Sequence, residues 1–280
     1  MHVVKASRDG ACAAGVVIGD EVAIVGPWVE GEPNDASFTL PSYGLDDLRT
    51  AAEAASQRVP LTDLRCEVPI DPRRKIICVG MNYRDHTKEI DVEVSANPVL
   101  FTRSLDSLVA DGDPVVKPRV SDTFDFEGEI AIVIGIGGRH IAIADALDHV
   151  FGYACFLDGS VREYQRHSLT AGKNFWRSGA MGRRIVTRDE VEEGGLGVVT
   201  RLNGTVVQSA HASDMIFGIA EVIAYCSRFT ELRPGDVIAT GTPGGVGSRR
   251  TPPLWMKAGD RIEVEVAGVG TLSNPVVAEG

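Results

Sequence analysis

Three carboxylates crowd the start of one apolar run, Asp125-Phe126-Glu127-Gly128-Glu129-Ile130-Ala131-Ile132-Val133-Ile134. Side chains alternate across a strand, so Asp125, Glu127 and Glu129 would share one face while Ile130, Ile132 and Ile134 pack on the other. Like charges two residues apart repel, and at the mouth of an apolar strand that repulsion needs compensation. A divalent cation supplies it, since carboxylates are the hard oxygen ligands that suit Mg²⁺, Mn²⁺ or Ca²⁺. Taken alone, Glu-x-Glu is also an ordinary acidic strand edge. Other residues must decide.

A second group lies in Gly80-Met81-Asn82-Tyr83-Arg84-Asp85-His86-Thr87-Lys88-Glu89. If a helix begins near Arg84, His86 and Glu89 are i, i+3 neighbours on one face. A carboxylate on one imidazole nitrogen raises the basicity of the other, which is the arrangement of a general base. A third group carries Asp158 at the end of the apolar run Tyr153 to Leu157, with Arg162 and Gln165 projecting from the turn or helix that follows and Lys173 shortly after. The Gly-rich run Thr240-Gly241-Thr242-Pro243-Gly244-Gly245-Val246-Gly247 is a turn whose backbone can approach a ligand closely. It lacks both the Gly-Lys-Ser/Thr ending of a P-loop and the G-x-G-x-x-G spacing, which excludes a nucleotide-phosphate reading.

The elements that must position these groups are mostly strands. Lys75 to Gly80, Phe126 to Ile134 and Arg201 to Gln208 read as strands, the last interrupted by the hairpin turn Asn203-Gly204. Pro234-Gly235-Asp236 and Ala258-Gly259-Asp260 are turns that feed Val237 to Thr240 and Arg261 to Val266. The clearest helix is expected over 213–228, with Ser213 as N-cap and Ile216, Ile219, Ala220 and Ile223 as its apolar stripe. Residues 1–70 read as a small separate α+β unit. Its short strands at 13–18 and 21–25 precede a Gly/Pro/Asn-rich stretch from Gly26 to Pro41 and an Ala-rich helix from Leu45 to Arg58. A boundary is placed near Asp71, leaving 71–280 as a β-rich domain with folded-over sheets.

The chain has 280 residues with 28 Lys+Arg against 39 Asp+Glu, a formal net charge of −11. That acidity argues against nucleic-acid and anionic-membrane partners, which need a basic footprint. No run approaches the roughly 18–20 apolar residues of a membrane span, and the N-terminal residues lack a signal-peptide layout, so a cytoplasmic address is expected. The five cysteines are scattered without a C-x-x-C clip and read as reduced, buried small hydrophobes. His2, His140, His149, His167 and His211 stand outside any constellation, and Trp28, Phe124 and Phe126 read as packing.

In their order along the chain these blocks resemble the fumarylacetoacetate hydrolase family. The resemblance covers nearly all of 70–280 and rests on Gly80-x-Asn82-Tyr83-x-x-His86-x-x-Glu89, Phe126-Glu127-Gly128-Glu129, Asp158 with Arg162 and Gln165, Gly172-Lys173, and Thr240 to Gly247. Lys257-Ala258-Gly259-Asp260 and Gly270-Thr271-Leu272-Ser273-Asn274 extend it, while residues 1–70 match only loosely.

The resemblance implies a mixed β-sandwich roll, a homodimer, and one Mg²⁺ or Mn²⁺ held by Glu127, Glu129 and Asp158. It implies that His86 and Glu89 lie on a mobile lid and activate water. Tyr83, Arg162, Gln165 and Thr242 would bind a small anionic 2-oxo acid, with Lys173 or Gln165 stabilising an oxyanion. The expected reaction is hydrolytic C–C cleavage of an acylpyruvate-like 1,3-diketo acid, of the kind met in aromatic catabolism. The alternatives are decarboxylation of oxaloacetate, tautomerisation or isomerisation of 2-hydroxydienoates, or hydration. The sequence departs from the family pattern at Leu157, Glu163, Trp176-Arg177 and Arg183, and the Trp176-Arg177 pair is expected near the substrate pocket.

Overall fold

The computed structural model describes residues 1–32, 44–89, 91 and 93–280; residues 33–41 of the Gly/Pro/Asn-rich stretch lie outside them. Two sheets dominate. The larger runs in the order Arg58–Pro60, Glu21–Ile24, Ala11–Ile18, His2–Arg8, Ile185–Thr187, Val150–Leu157, Gly128–Ile134, Val237–Ala239, Ile76–Gly80, Val99–Arg103. The smaller orders Val115–Lys117, Gly270–Ala278, Arg261–Val266, Gly197–Leu202, Thr205–His211. This is the β-rich α+β, folded-sheet architecture that the turn and strand signals call for. Asn203 and Gly204 both take positive φ in the turn between the last two strands, as a tight hairpin requires. Among the described residues no helix is long and apolar enough to cross a membrane.

The central strand Gly128–Ile134 is buried along its whole length, because both of its faces are covered. Ile130, Ile132 and Ile134 pack into a core shared with Val198, Val264, Val266 and Leu272 of the smaller sheet. Ala131 and Val133 pack with Leu48, Ala52, Ile76 and Phe151 on the other side. The expected alternation therefore sorts residues between two cores, not between core and solvent. Asp125 does not continue the strand. It pairs with Ser160 in a separate two-stranded ladder, Phe124–Asp125 against Ser160–Val161.

The first 70 residues add their strands to the large sheet through His2 opposite Val186 and Val3 opposite Ile185. Residue 71 stands as our proposed boundary in the sequence, with one sheet continuing across it. The helix here is Leu45–Ala54, shorter than the spacing suggests, and buries Leu48 and Ala52.

The expected 213–228 helix starts later than its periodicity indicates. Ser213 lies in the 3-10 turn Ala212–Asp214, and the α-helix is Ile219–Phe229. Asn82 causes the delay. Its carbonyl accepts from Ile216 N, and its side chain accepts from Phe217 N and donates to Phe217 O, so these residues are held in tertiary hydrogen bonds and not helical ones. The helix then begins at Gly218, whose N–H is accepted by the Glu221 carboxylate at 2.8 Å. All five cysteines are buried and unpaired.

Gly128 lies against the smaller sheet with no room for a side chain. A Cβ added there would sit 2.0 Å from Thr200 Oγ1 and 3.3 Å from Val264 Cγ1, both from the smaller sheet. Thr200 is β-branched and fully buried, so it has little room to yield. Gly128→Ala should lower the unfolding free energy by about 2–3 kcal/mol through overpacking. Urea denaturation measures this, and a loss under 0.5 kcal/mol would show that the sheets are not in close register there.

Candidate active site

The site grows from the end of the Gly128–Ile134 and Val150–Leu157 ladder. Gly128 pairs with Leu157 and Glu129 with Phe156, and just past the strand ends Asp158 N donates to Glu127 O at 2.9 Å. That register places Glu127, Glu129 and Asp158 together, with one carboxylate oxygen from each lying within 4.8 Å of the others. All three are buried. Their counterparts overlap only in part. Lys173 Nζ is 2.5 Å from both Glu127 Oε2 and Asp158 Oδ2. Arg162 Nη1 lies 2.6 Å from Glu127 Oε1, and its Nε lies 2.8 Å from Asp125 Oδ2. Arg103 Nη1 lies 2.5 Å from Asp158 Oδ1, with both side chains fully buried. Among the described residues Glu129 meets no cation in this way; its Oε2 accepts the N–H of Gly241 at 2.9 Å.

The ionisation follows the pairing. Burial disfavours the Glu127 carboxylate, but Lys173 and Arg162 outweigh it and bring its pKa down to about 2. Burial pushes the Glu129 carboxyl well above its ordinary value, and the charges of Asp158 and Glu127 add to the push. Burial disfavours the Lys173 ammonium too, yet Asp158 and Glu127 raise its pKa, so Lys173 stays protonated and cannot act as a base. Four buried carboxylates, Asp125 included, face three cations. Glu129, the carboxyl left without a cation among the described residues, is the one whose ionisation is opposed. A hard divalent cation fits this set, because it supplies the missing charge to three oxygen donors that already converge.

His86 and Glu89 fall where the spacing puts them, on the short helix Arg84–Glu89, with His86 Nδ1 3.3 Å from Glu89 Oε2. A carboxylate only accepts, so Nδ1 carries the proton of this contact and Nε2 is the basic nitrogen. Burial disfavours ionisation of Glu89, but hydrogen bonds from His86 and from Gly245 N outweigh it and hold its pKa below the ordinary carboxylate value. The Gly-rich run is thus a carboxylate clamp. Gly241 N serves Glu129, Gly245 N serves Glu89, and Gly247 N serves Asp125. Gly241 and Gly245 take positive φ, and a Cβ on Gly245 would lie 2.3 Å from Val207 O.

A cavity of about 500 Å³ opens onto these groups, and His86, Glu127, Arg162, Gln165, Lys173 and Thr242 all line it. Glu129, Asp158 and Glu89 stand directly behind that wall. Tyr83 does not reach it. It is fully buried in the apolar core, and its hydroxyl has no hydrogen-bond partner among the described residues. Thr242 has its hydroxyl engaged, donating to Gly128 O at 3.0 Å and accepting from Gln208 Nε2 at 2.8 Å. Trp176 and Arg177 are not at the pocket either. Trp176 is exposed, and Arg177 lines a different depression with Arg65 and Asp113.

Sequence reasoning missed Arg103 and Gln208. Gln208 accepts from Gly128 N and donates to Thr242 Oγ1 and Pro243 O, tying the ligand strand to the Gly-rich run. Arg103 ends the strand Val99–Arg103 in a Phe-Thr-Arg context that carries no signal, and Gln208 lies in the hairpin strand Thr205–His211, whose sequence marks no partner for it.

Unfolded, Glu129 titrates near 4.5; folded, its pKa is raised. Between the two values the folded state binds more protons than the unfolded state, so Glu129 makes stability fall as pH rises through that window. Chelator-treated protein should therefore lose Tm between pH 5 and pH 8. Mn²⁺ or Mg²⁺ at a hundredfold its Kd should raise Tm by about 5–10 °C at pH 8 and by less at pH 5. Glu129→Gln should flatten both responses in differential scanning calorimetry. Equal metal shifts at both pH values, with an unchanged response in the variant, would remove Glu129 from the ligand set.

Comparison with known proteins places this arrangement. A family model for the C-terminal part of fumarylacetoacetate (FAA) hydrolase matches residues 75–277. The chain is 41% identical over 232 residues to oxaloacetate tautomerase YisK of Bacillus subtilis (strain 168), covering 80% of this chain and 77% of that one. It is 38% identical over 238 residues to the mitochondrial oxaloacetate tautomerase fahd2 of Xenopus laevis, covering 83% and 75%. Its fold is similar to that of maleylpyruvate hydrolase from Sphingobium sp. SYK-6, solved with manganese(II) ion and pyruvate, with a TM-score of 0.77, 32% identity and 100% of both chains covered. With the motifs, the folded sheets and the buried carboxylate trio in agreement, the chain belongs to the fumarylacetoacetate hydrolase family.

Proposed function

We propose that this chain is a divalent-metal-dependent enzyme that interconverts the keto and enol forms of oxaloacetate or a close 2-oxo diacid. The observation that carries this reading is the convergence of Glu127, Glu129 and Asp158 behind a cavity wall that also holds His86 and Lys173. The similarity to oxaloacetate tautomerases supports ranking tautomerisation ahead of the C–C hydrolysis expected from the motifs. When bound, Mg²⁺ or Mn²⁺ on the three carboxylates supplies Lewis-acid stabilisation for a 2-oxo acid and its enolate charge.

The chain's own residues do the rest. Arg162, whose Nη2 is buried without a hydrogen-bond partner among the described residues, and Gln165 bind the substrate carboxylate. His86 Nε2 takes the proton from C3, with Glu89 stabilising the imidazolium, and the proton is returned to the 2-oxo oxygen. Lys173, held as an ammonium, contributes positive charge close to the developing anion. Thr242 and Gln208 keep the Gly-rich run against the ligand strand.

A second reading keeps the same residues. The His86–Glu89 pair equally suits removal of a proton from water, whose hydroxide attacks the distal carbonyl of an acylpyruvate before C–C cleavage. The similarity to a maleylpyruvate hydrolase supports it. A homodimer is proposed on the family resemblance.

With Mn²⁺ added, loss of the enol absorbance of oxaloacetate should accelerate well above the metal-only rate, while acetylpyruvate and fumarylpyruvate are cleaved slowly. His86→Ala should cut the rate about 10²–10⁴-fold and leave Mn²⁺ affinity within about threefold. Fast acylpyruvate cleavage without oxaloacetate tautomerisation would reverse the ranking of the two reactions. A fully active His86→Ala enzyme would end the base assignment in both.

A further inference from the structure

The cavity wall carries one carboxylate, Glu127, against Lys173, Arg162, Arg166 and Arg249, in a protein whose formal net charge is −11. The two inner cations are matched. Lys173 serves Glu127 and Asp158, and Arg162 serves Glu127 and Asp125. The outer two are not. Among the described residues, neither the Arg166 nor the Arg249 side chain makes a hydrogen bond or ion pair, and both are exposed, which puts them at the cavity entrance.

Neighbouring arginines are occupied differently. Arg250 spends its guanidinium on Gly245 O and Val207 O. Arg249, in the 3-10 turn Gly247–Arg249, is left to the cavity. Arg166 closes the short helix Arg162–Gln165, one turn beyond Arg162, so one element carries an inner and an outer guanidinium. The same wall also carries the apolar side chains of Phe101, Leu169 and Trp255. Buried cations and exposed cations on one cavity are complementary to a molecule anionic at both ends.

We propose that Arg166 and Arg249 form an anion site at the entrance that reads a second carboxylate, at the end of the substrate remote from its 2-oxo acid group. The chain then selects 2-oxo diacids over 2-oxo acids with a neutral far end. This deepens the proposed function and rests on it. Arg166 and Arg249 are specificity determinants, distant from the reacting atoms.

The test compares oxaloacetate, its 4-methyl ester and oxalate on Mn²⁺-loaded protein. In the Arg166→Gln/Arg249→Gln double variant, kcat/KM for oxaloacetate should fall about tenfold or more. The ester's kcat/KM and the affinity for oxalate, which occupies only the inner end, should stay within about twofold. Added salt should raise KM for oxaloacetate in the wild type and much less in the double variant. If the double variant binds oxalate and turns over oxaloacetate as the wild type does, the entrance site is wrong and the 2-oxo acid reading stands. If the Mn²⁺-loaded wild type neither binds oxalate nor acts on oxaloacetate or its ester, the functional reading fails and takes the entrance site with it.

Discussion

Everything in this molecule is arranged around one electrostatic difficulty: several carboxylates must remain ionised out of water, within a few ångströms of each other. Coulomb repulsion and desolvation both oppose that state. The protein answers with three cations, each of which reaches its carboxylate from a different part of the chain. Arg103 ends a strand, Arg162 opens a helical turn and Lys173 closes a short helix. The compensation is incomplete by one charge, and that deficit makes the site a receptor for a cation instead of an inert ion-pair network. A fully neutralised cluster would have no reason to bind anything.

The backbone supplies the second part of the answer. Amides of the Gly-rich run point at carboxylates of the chain itself, where a phosphate-binding loop would turn them toward a ligand. Orienting those amides requires backbone conformations that favour glycine at Gly241 and Gly245, and close passage against Asn82 and Val207. The same peptide segment therefore fixes a metal-ligand candidate, the partner of the proposed base and the counterion of Arg162. Displacing it would disturb binding, proton transfer and charge balance together.

The chemistry-bearing residues were legible because each stands in a local pattern. Glu127-x-Glu129 flanks an apolar run, His86-x-x-Glu89 has helical spacing, and Asp158 follows a strand. Strand and turn positions were legible from Asn203-Gly204 and from the Gly-Asp turns for the same reason. What stayed hidden depends on contacts between distant segments. Nothing near Arg103 signals that it will meet Asp158 in the interior. The last helix starts later than its periodicity indicates because Asn82 competes for the amides of Ile216 and Phe217. Tyr83 neighbours the proposed base in sequence, yet its ring turns into the core. Trp176-Arg177 follows Lys173 closely, but the chain has already left the cavity by then.

The hydrogen bonds that close the site also set how it can come into being. Asn82 binds Thr240 O across 158 residues, Glu89 binds Gly245 across 156, and Glu129 binds Gly241 across 112. The carboxylate trio itself is gathered more locally, by the ladder of Gly128–Ile134 with Val150–Leu157, but its closing amides come from far along the chain. Such non-local closures bear their loop entropy before they return any energy, so they belong to the slow, late events of folding. A nascent chain can therefore gather the carboxylate trio on one ladder, but it gains the amides that hold Glu129 and Glu89 only when the Gly-rich run docks.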